Sequence, residues 1–217
     1  MKERSKKMFI TLEGIEGCGK TTQIDHLRTF FEDRGRSCVL TREPGGTAIG
    51  SEIRSILLNP SNRDMVPKAE LLLYMADRAQ HIASLVKPGL EANKVVLCDR
   101  YFDATVVYQG YARGLGTRFI CDLHQLILDD FKPDLTLLLD LSPRIGLARA
   151  WKELNKGARS GTESRFEKET LNFHEKVRSG YLELARLEPE RFRIIDAAKE
   201  ESQVQADIQD VLRQYLD

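Results

Sequence analysis

Glycines at 14, 17 and 19 are followed at once by Lys20 and Thr21. Without a Cβ, glycines at this density let the backbone turn tightly and aim successive N–H groups at a single anion. The run Gly14-Ile15-Glu16-Gly17-Cys18-Gly19-Lys20-Thr21 fits G-x-x-x-x-G-K-[ST] at every defined position. In that pattern the lysine serves the terminal phosphates and the hydroxyl serves a magnesium ion. A strand-like segment, 8–12, precedes it and an amphipathic pattern over 21–33 follows, so the positive end of a helix would face the same anion. The chemistry on offer is the handling of nucleotide phosphates, with Gly14 through Thr22 as the binding segment and Thr21 at the metal.

Three further groups of residues could do chemistry. Asp99-Arg100-Tyr101 follows an apolar run directly, and a strand end in an α/β protein opens onto the ligand crevice. There Arg100 could clamp an acceptor phosphate with its planar fork, while Asp99 orders the magnesium shell or orients that arginine. Glu13 and Glu16 flank Gly14, a poor place for carboxylates beside phosphates unless each holds a cation or a hydroxyl, so metal or sugar contact is expected of them. Finally, 152–165 carries two glycines and several basic residues with few apolar anchors. It reads as an exposed, mobile loop that could bring Arg159 or Arg165 over the phosphates as a lid. Four histidines, at 26, 81, 124 and 174, lack ligand spacing and read as core-edge or surface residues, His81 on the same helix face as Arg78.

The elements that must position these groups alternate strand with helix. Strands are expected at 8–12, 37–41, 95–98, 135–141 and 192–196, and helices at 21–33, 47–58, 69–83, 119–129, 167–187 and 203–215. Pro44-Gly45-Gly46, Pro60, Pro67, Gly110 to Gly116, Pro133 and Pro143 punctuate them. Five strands with helices on both faces predict a three-layer αβα sandwich around a mainly parallel sheet, the phosphate-loop NTPase fold. A chain of 217 residues suits a single domain, 1–217, with a mobile lid at about 149–165.

Lysine plus arginine and aspartate plus glutamate both number 33, so no global field favours nucleic acid or an acidic membrane. The four cysteines, 18, 38, 98 and 121, show no short paired spacing of metal-site type; Cys38 and Cys98 read as reduced core thiols. No apolar stretch approaches a membrane span and no cleavable apolar leader follows Lys2 to Lys7, so a soluble cytoplasmic protein is expected.

Beyond the phosphate loop, the chain carries Leu12-Glu13-Gly14, Thr41-Arg42-Glu43-Pro44-Gly45-Gly46-Thr47, Asp77-Arg78-Ala79-Gln80-His81, Asp99-Arg100-Tyr101, Ala104-Thr105, Tyr108-Gln109-Gly110 and Ile195-Asp196-Ala197. This set resembles the thymidylate kinases of the bacterial type over nearly the whole length. The resemblance implies transfer of the γ-phosphate of ATP to dTMP to give dTDP, with Mg2+, in a homodimer packed through helices. It implies that Glu16 meets the deoxyribose 3'-hydroxyl, Arg54 and Arg100 hold the dTMP phosphate, and Arg78 and Thr105 read thymine. Tyr74 stands where the family commonly has phenylalanine against the base, and Tyr108, with Gln109 beside it, lies beneath the deoxyribose. Arg149 and Ala197 are placed near the adenosine.

The phosphate loop lacks the arginine that eukaryotic-type members carry there, so the lid must supply one. Ser164-Arg165-Phe166-Glu167 favours Arg165, with Arg159 second. Another nucleoside or nucleotide kinase would share the loop, the strand-end pair and the basic lid, and base choice separates it. A phosphate-loop switch would instead need a water-positioning residue and no second phosphate clamp. No strong general base is required for a kinase here, since an acceptor phosphate oxygen is already ionised near neutral pH.

Overall fold

The computed structural model describes residues 7–155 and 164–216. Strand β1, Met8–Glu13, is buried along its whole length and leads straight into the glycine-rich loop. Its apolar residues Met8, Phe9, Ile10 and Leu12, all buried, suit a central strand covered on both faces. Helix α1, Lys20–Glu32, follows and buries Ile24, Leu27, Phe30 and Phe31 against the sheet. Next come β2, Cys38–Arg42, and α2, Ala48–Leu58, whose first turn is capped by Thr47 Oγ1 accepting from the Gly50 N–H at 2.9 Å. Helix α3, Pro67–His81, opens on a proline, the residue that forfeits no hydrogen bond in a first turn. A π-helical turn, Ile82–Val86, carries it without a break into α4, Lys87–Glu91.

Strand β3, Val95–Asp99, ends at the Asp-Arg-Tyr triplet. Helix α5, Phe102–Thr105, then runs into a wider π-helical segment, Val106–Ala112. Helix α6, Thr117–Leu128, strand β4, Leu135–Asp140, and helix α7, Pro143–Asn155, precede α8, Leu171–Leu187, β5, Phe192–Asp196, and α9, Glu201–Leu216. The sheet order is β2-β3-β1-β4-β5 with every pairing parallel. This is the parallel five-stranded αβα sandwich the sequence predicts. The strand after the phosphate loop lies two places from β1, so the carboxyl ends of β1 and β3 open onto one crevice.

Four expectations need correction. The chain from 102 to 112 is helical, although no helix is expected there. Phe102, Asp103, Thr105, Val106, Val107, Tyr108, Gln109 and Gly110 are all buried, so the segment has no polar face to produce a 3.6-residue period. Helix α7 extends to Asn155, so the start of the expected loop, 152–155, is helical. Helix α8 begins at Leu171 rather than 167, because Thr170 caps it by accepting from the Phe173 N–H at 3.2 Å. The proline and glycine breaks also differ in kind: Pro67 and Pro143 start helices and Gly110 lies inside one.

Candidate active site

Gly17 and Gly19 have φ of 70° and 96°, left-handed conformations in which a side chain would be strained. They curl the chain from β1 into α1, whose first turn has no side-chain cap. The N–H groups of that turn are thereby left for an anion. Lys20 Nζ is buried and folds back over the loop, donating to the carbonyls of Ile15 at 2.9 Å and Gly14 at 3.2 Å and meeting Cys18 Sγ at 3.4 Å. Thr21 and Thr22 are exposed at the helix start, as an approaching ligand requires.

Beside the loop lies a cavity of about 380 Å³, the size of a nucleotide-scale ligand site. Glu16, Gly17, Lys20 and Thr21 form one wall, and Asp99 and Arg100 join them from the end of β3. Arg54 and Leu58 enter from α2, Tyr74 and Arg78 from α3, and Ala104, Thr105, Tyr108 and Gln109 from the 102–112 segment. The expected acceptor residues Glu16, Arg54, Tyr74, Arg78, Arg100, Thr105, Tyr108 and Gln109 therefore all line one cavity.

Arg78 is buried, a position that a guanidinium tolerates only when its donors are answered. Nε donates to Glu43 Oε2 at 2.7 Å, and Nη2 donates to Thr105 Oγ1 at 2.8 Å and to the Tyr101 carbonyl at 3.2 Å. Burial works against its charge, but Glu43 beside it holds the guanidinium above its ordinary range. Glu43 Oε1 is 2.7 Å from His81 Nδ1, and His81 Nε2 is 2.7 Å from Thr41 Oγ1. Thr41, His81, Glu43, Arg78 and Thr105 thus form a continuous polar chain under the cavity. Glu43 belongs to the quoted Thr-Arg-Glu-Pro run, yet sequence alone gave no sign that it meets Arg78.

Arg100, with φ of 68°, sends Nη2 to Glu16 Oε1 at 3.0 Å and holds its guanidinium carbon 5.1 Å from the centre of the Tyr108 ring. The Tyr108 hydroxyl donates to the same Glu16 oxygen at 2.7 Å. The other Glu16 oxygen faces His174 Nδ1 at 3.1 Å. Burial would raise the Glu16 pKa, but Arg100 and His174 outweigh it and hold the carboxyl well below the usual carboxylate range. His174, like His81 and His124, is fully buried, not a surface or core-edge residue; its Nε2 is 3.1 Å from the Phe166 carbonyl, and Glu16 pulls its pKa up against the burial that would lower it.

Asp99 borders the cavity, and its buried Oδ1 has no hydrogen-bond partner among the described residues. Such an orphaned acceptor, lining the same cavity as Thr21, fits a hard divalent cation that takes most of its ligands from phosphate and water. No cluster of three or more acidic, histidine or cysteine ligands occurs among the described residues.

Two expected site residues, Glu13 and Arg165, are not part of the cavity wall. Glu13 is fully buried and does not line the cavity: Tyr101 N–H donates to Oε1 at 2.7 Å and the Tyr181 hydroxyl to Oε2 at 2.6 Å. Burial, with the charge of Asp103, pushes its pKa up to about 8. Arg165 is likewise buried rather than exposed on a loop. Its Nη2 lies 2.6 Å from Glu70 Oε2, and its Nε donates to the Leu57 carbonyl. Arg149 donates to the Ala197 carbonyl at 3.2 Å, which joins the two residues expected near adenosine. Arg159 lies outside the described residues.

The family model described as "Thymidylate kinase" matches residues 12–208. The chain belongs to the thymidylate kinase family. It is 56% identical over 190 residues to a thymidylate kinase of Desulfosudis oleivorans, covering 88% of this chain and 89% of that one. It is 54% identical over 201 residues to one of Desulforapulum autotrophicum, covering 93% and 88% respectively. The crystal structure of thymidylate kinase from Ehrlichia chaffeensis superposes with a TM-score of 0.76 at 30% identity, over 96% of this chain and 99% of that one. The chain is therefore a bacterial-type thymidylate kinase, a phosphotransferase of the phosphate-loop nucleoside-monophosphate kinase group that moves a phosphoryl group from ATP to dTMP. Family membership also implies use of ATP with Mg2+.

Proposed function

We propose that the phosphate loop holds ATP and the adjoining cavity holds dTMP, with Arg100 at the junction of the two. The observation that carries this is the meeting of Lys20, Thr21, Asp99 and Arg100 with the acceptor residues around one cavity. Phosphoryl transfer asks chiefly for alignment and for neutralisation of spreading negative charge. Backbone N–H groups from Gly14 to Thr22 and the Lys20 ammonium serve the donor phosphates. Thr21 and Asp99 would hold Mg2+, which when bound would offset the negative charge that builds up during transfer. Arg54 and Arg100 take the dTMP phosphate, Glu16 and Tyr108 the deoxyribose, and Arg78, Thr105, Gln109 and Tyr74 the base.

Arg78 and the Thr105 hydroxyl suit a base with carbonyl acceptors and one ring N–H. A pyrimidine bearing an exocyclic amine would turn a donor toward Arg78. Arg149 and Ala197 border the adenosine, and Arg159 is the remaining lid arginine that the sequence offers. The chain acts as a cytoplasmic homodimer in this reading. Leu72 on α3 and Phe119 and Leu126 on α6 are 59%, 47% and 81% exposed, an apolar surface of the kind that helices bury between subunits. No described helix is long and apolar enough to cross a membrane.

Arg100→Lys tests the placement of the two substrates. Lysine keeps the charge but loses the fork, so the KM for dTMP should rise by about tenfold or more while the KM for ATP moves by less than about twofold. Equal weakening of both would put Arg100 on the wrong substrate.

A further inference from the structure

Glu70 sits in the first turn of α3, buried to 1% exposure, and no step of the transfer described above uses it. Four groups converge on its carboxylate. Gln109 Nε2 donates to Oε1 at 2.7 Å and Arg113 Nε to the same oxygen at 3.3 Å. Arg113 Nη2 donates to Oε2 at 3.4 Å, and Arg165 Nη2 lies 2.6 Å from that oxygen. Arg113 also meets Glu169 at 2.6 Å, so two guanidinium groups alternate with two carboxylates and the charges balance.

Burying Glu70 and Arg165, with Arg113 and Glu169 partly covered beside them, is costly, and such a network generally adds little net stability over apolar packing. What it does supply is fixed geometry. Three pieces of chain are tied together here: the start of α3, the 106–112 segment, and residues 164–169. The Arg165 guanidinium also donates to the Leu57 carbonyl, and its backbone N–H to the Leu58 carbonyl at 3.2 Å, at the C-terminal end of α2, where a cation is favoured by the helix dipole.

The products of this arrangement face the cavity. Phe166 and Glu167, next to Arg165, line it, as do Leu58 and Gln109. Phe166 packs edge-on against Tyr108, the ring that carries the hydroxyl bonded to Glu16, with centroids 5.4 Å apart. The Gln109 amide, with an N–H committed to Glu70, has its orientation set.

We propose that Glu70 is a positioning residue for the acceptor site, joining Arg165, Arg113 and Gln109 so that the Phe166 wall and the Gln109 amide are held against the bound nucleoside, and that Arg165 acts through this wall and not on the transferring phosphoryl group. The inference rests on the cavity being the dTMP site.

The test is steady-state kinetics on the full chain for Glu70→Gln, Arg165→Ala and the double variant, with ATP and dTMP each varied and the other saturating. Each single change should raise the KM for dTMP about tenfold, the double should add less than about threefold more, and the KM for ATP should stay within about twofold. Turnover at saturation should change by less than about fivefold. A loss of turnover of about 100-fold in Arg165→Ala with an unchanged KM for dTMP would overturn the proposal and put that arginine on the reaction itself. A lowered melting temperature with unchanged kinetic constants would also overturn it, leaving the network structural only. If Glu70→Gln does not fold, Arg165→Lys keeps Glu70 paired while losing the fork; the KM for dTMP should still rise, and no rise overturns the proposal. A wild-type chain with no dTMP-dependent turnover would overturn the assignment of the cavity, whereas normal wild-type turnover with unaffected variants would refute only the role of Glu70.

Discussion

Arg78→Lys should injure the use of dTMP selectively. The arginine spans Glu43, Thr105 and the Tyr101 carbonyl with three donated hydrogen bonds, of 2.7, 2.8 and 3.2 Å. A lysine ammonium is a single point on a flexible stem. It can keep its contact with Glu43 or reach toward Thr105, and in either pose the planar donor presented to the base is lost. A hydrogen bond involving a charged group contributes about 1.5–3 kcal/mol, so kcat/KM for dTMP should fall by about 10- to 150-fold. Loss of an optimised buried partner for Glu43 should also lower the melting temperature. The KM for ATP, whose phosphates the proposed function assigns to the other wall, should stay within about twofold. ADP release coupled to NADH oxidation, with each substrate varied, measures these quantities on protein whose fold is checked by circular dichroism. A fall in kcat/KM for dTMP of less than about threefold would refute the role given to Arg78.

Lys20→Ala removes the cation folded over the phosphate loop and should lower turnover at least about 100-fold in protein of unchanged circular dichroism; nearly unchanged turnover would make the lysine structural. Glu13 gives a stability effect. Its folded pKa of about 8 lies above the ordinary value of 4.5, so the native state binds the extra proton and stability declines as pH rises toward 8. Between about pH 5 and 8 the melting temperature should fall, and Glu13→Gln, whose amide can donate to the Tyr181 oxygen and accept from Tyr101 N–H, should flatten that slope; an equally steep slope in the variant would contradict the assignment.

The central strands were legible because buried parallel strands are written as short apolar runs, and Met8–Glu13 and Val95–Asp99 are of that kind. The helices at α1 and α9 were legible from their periodicity. The 102–112 segment was not, since a helix buried on all sides has no alternation to detect. In the site, the phosphate loop could be read because its function depends on local backbone geometry. Arg165 could not: its neighbours in sequence are polar and lid-like, while the partner that fixes it, Glu70, comes from a distant helix. Glu13 failed for a related reason. Position beside the loop suggested a metal, but the strand it ends is central, and its carboxyl is turned into the core toward Tyr101 and Tyr181. Charged residue types mark candidates, and only the tertiary partner decides what each one does.

The central claim is that this cavity accepts thymidylate as phosphoryl acceptor from ATP bound at the phosphate loop. Initial rates of ADP formation with saturating ATP–Mg2+ and, in turn, dTMP, dCMP, dGMP and dAMP measure it most directly. The carbonyl-reading pair of Arg78 and Thr105 predicts turnover with dTMP that exceeds the other three by orders of magnitude. Comparable rates with all four acceptors, or ADP formation that ignores the acceptor altogether, would contradict it.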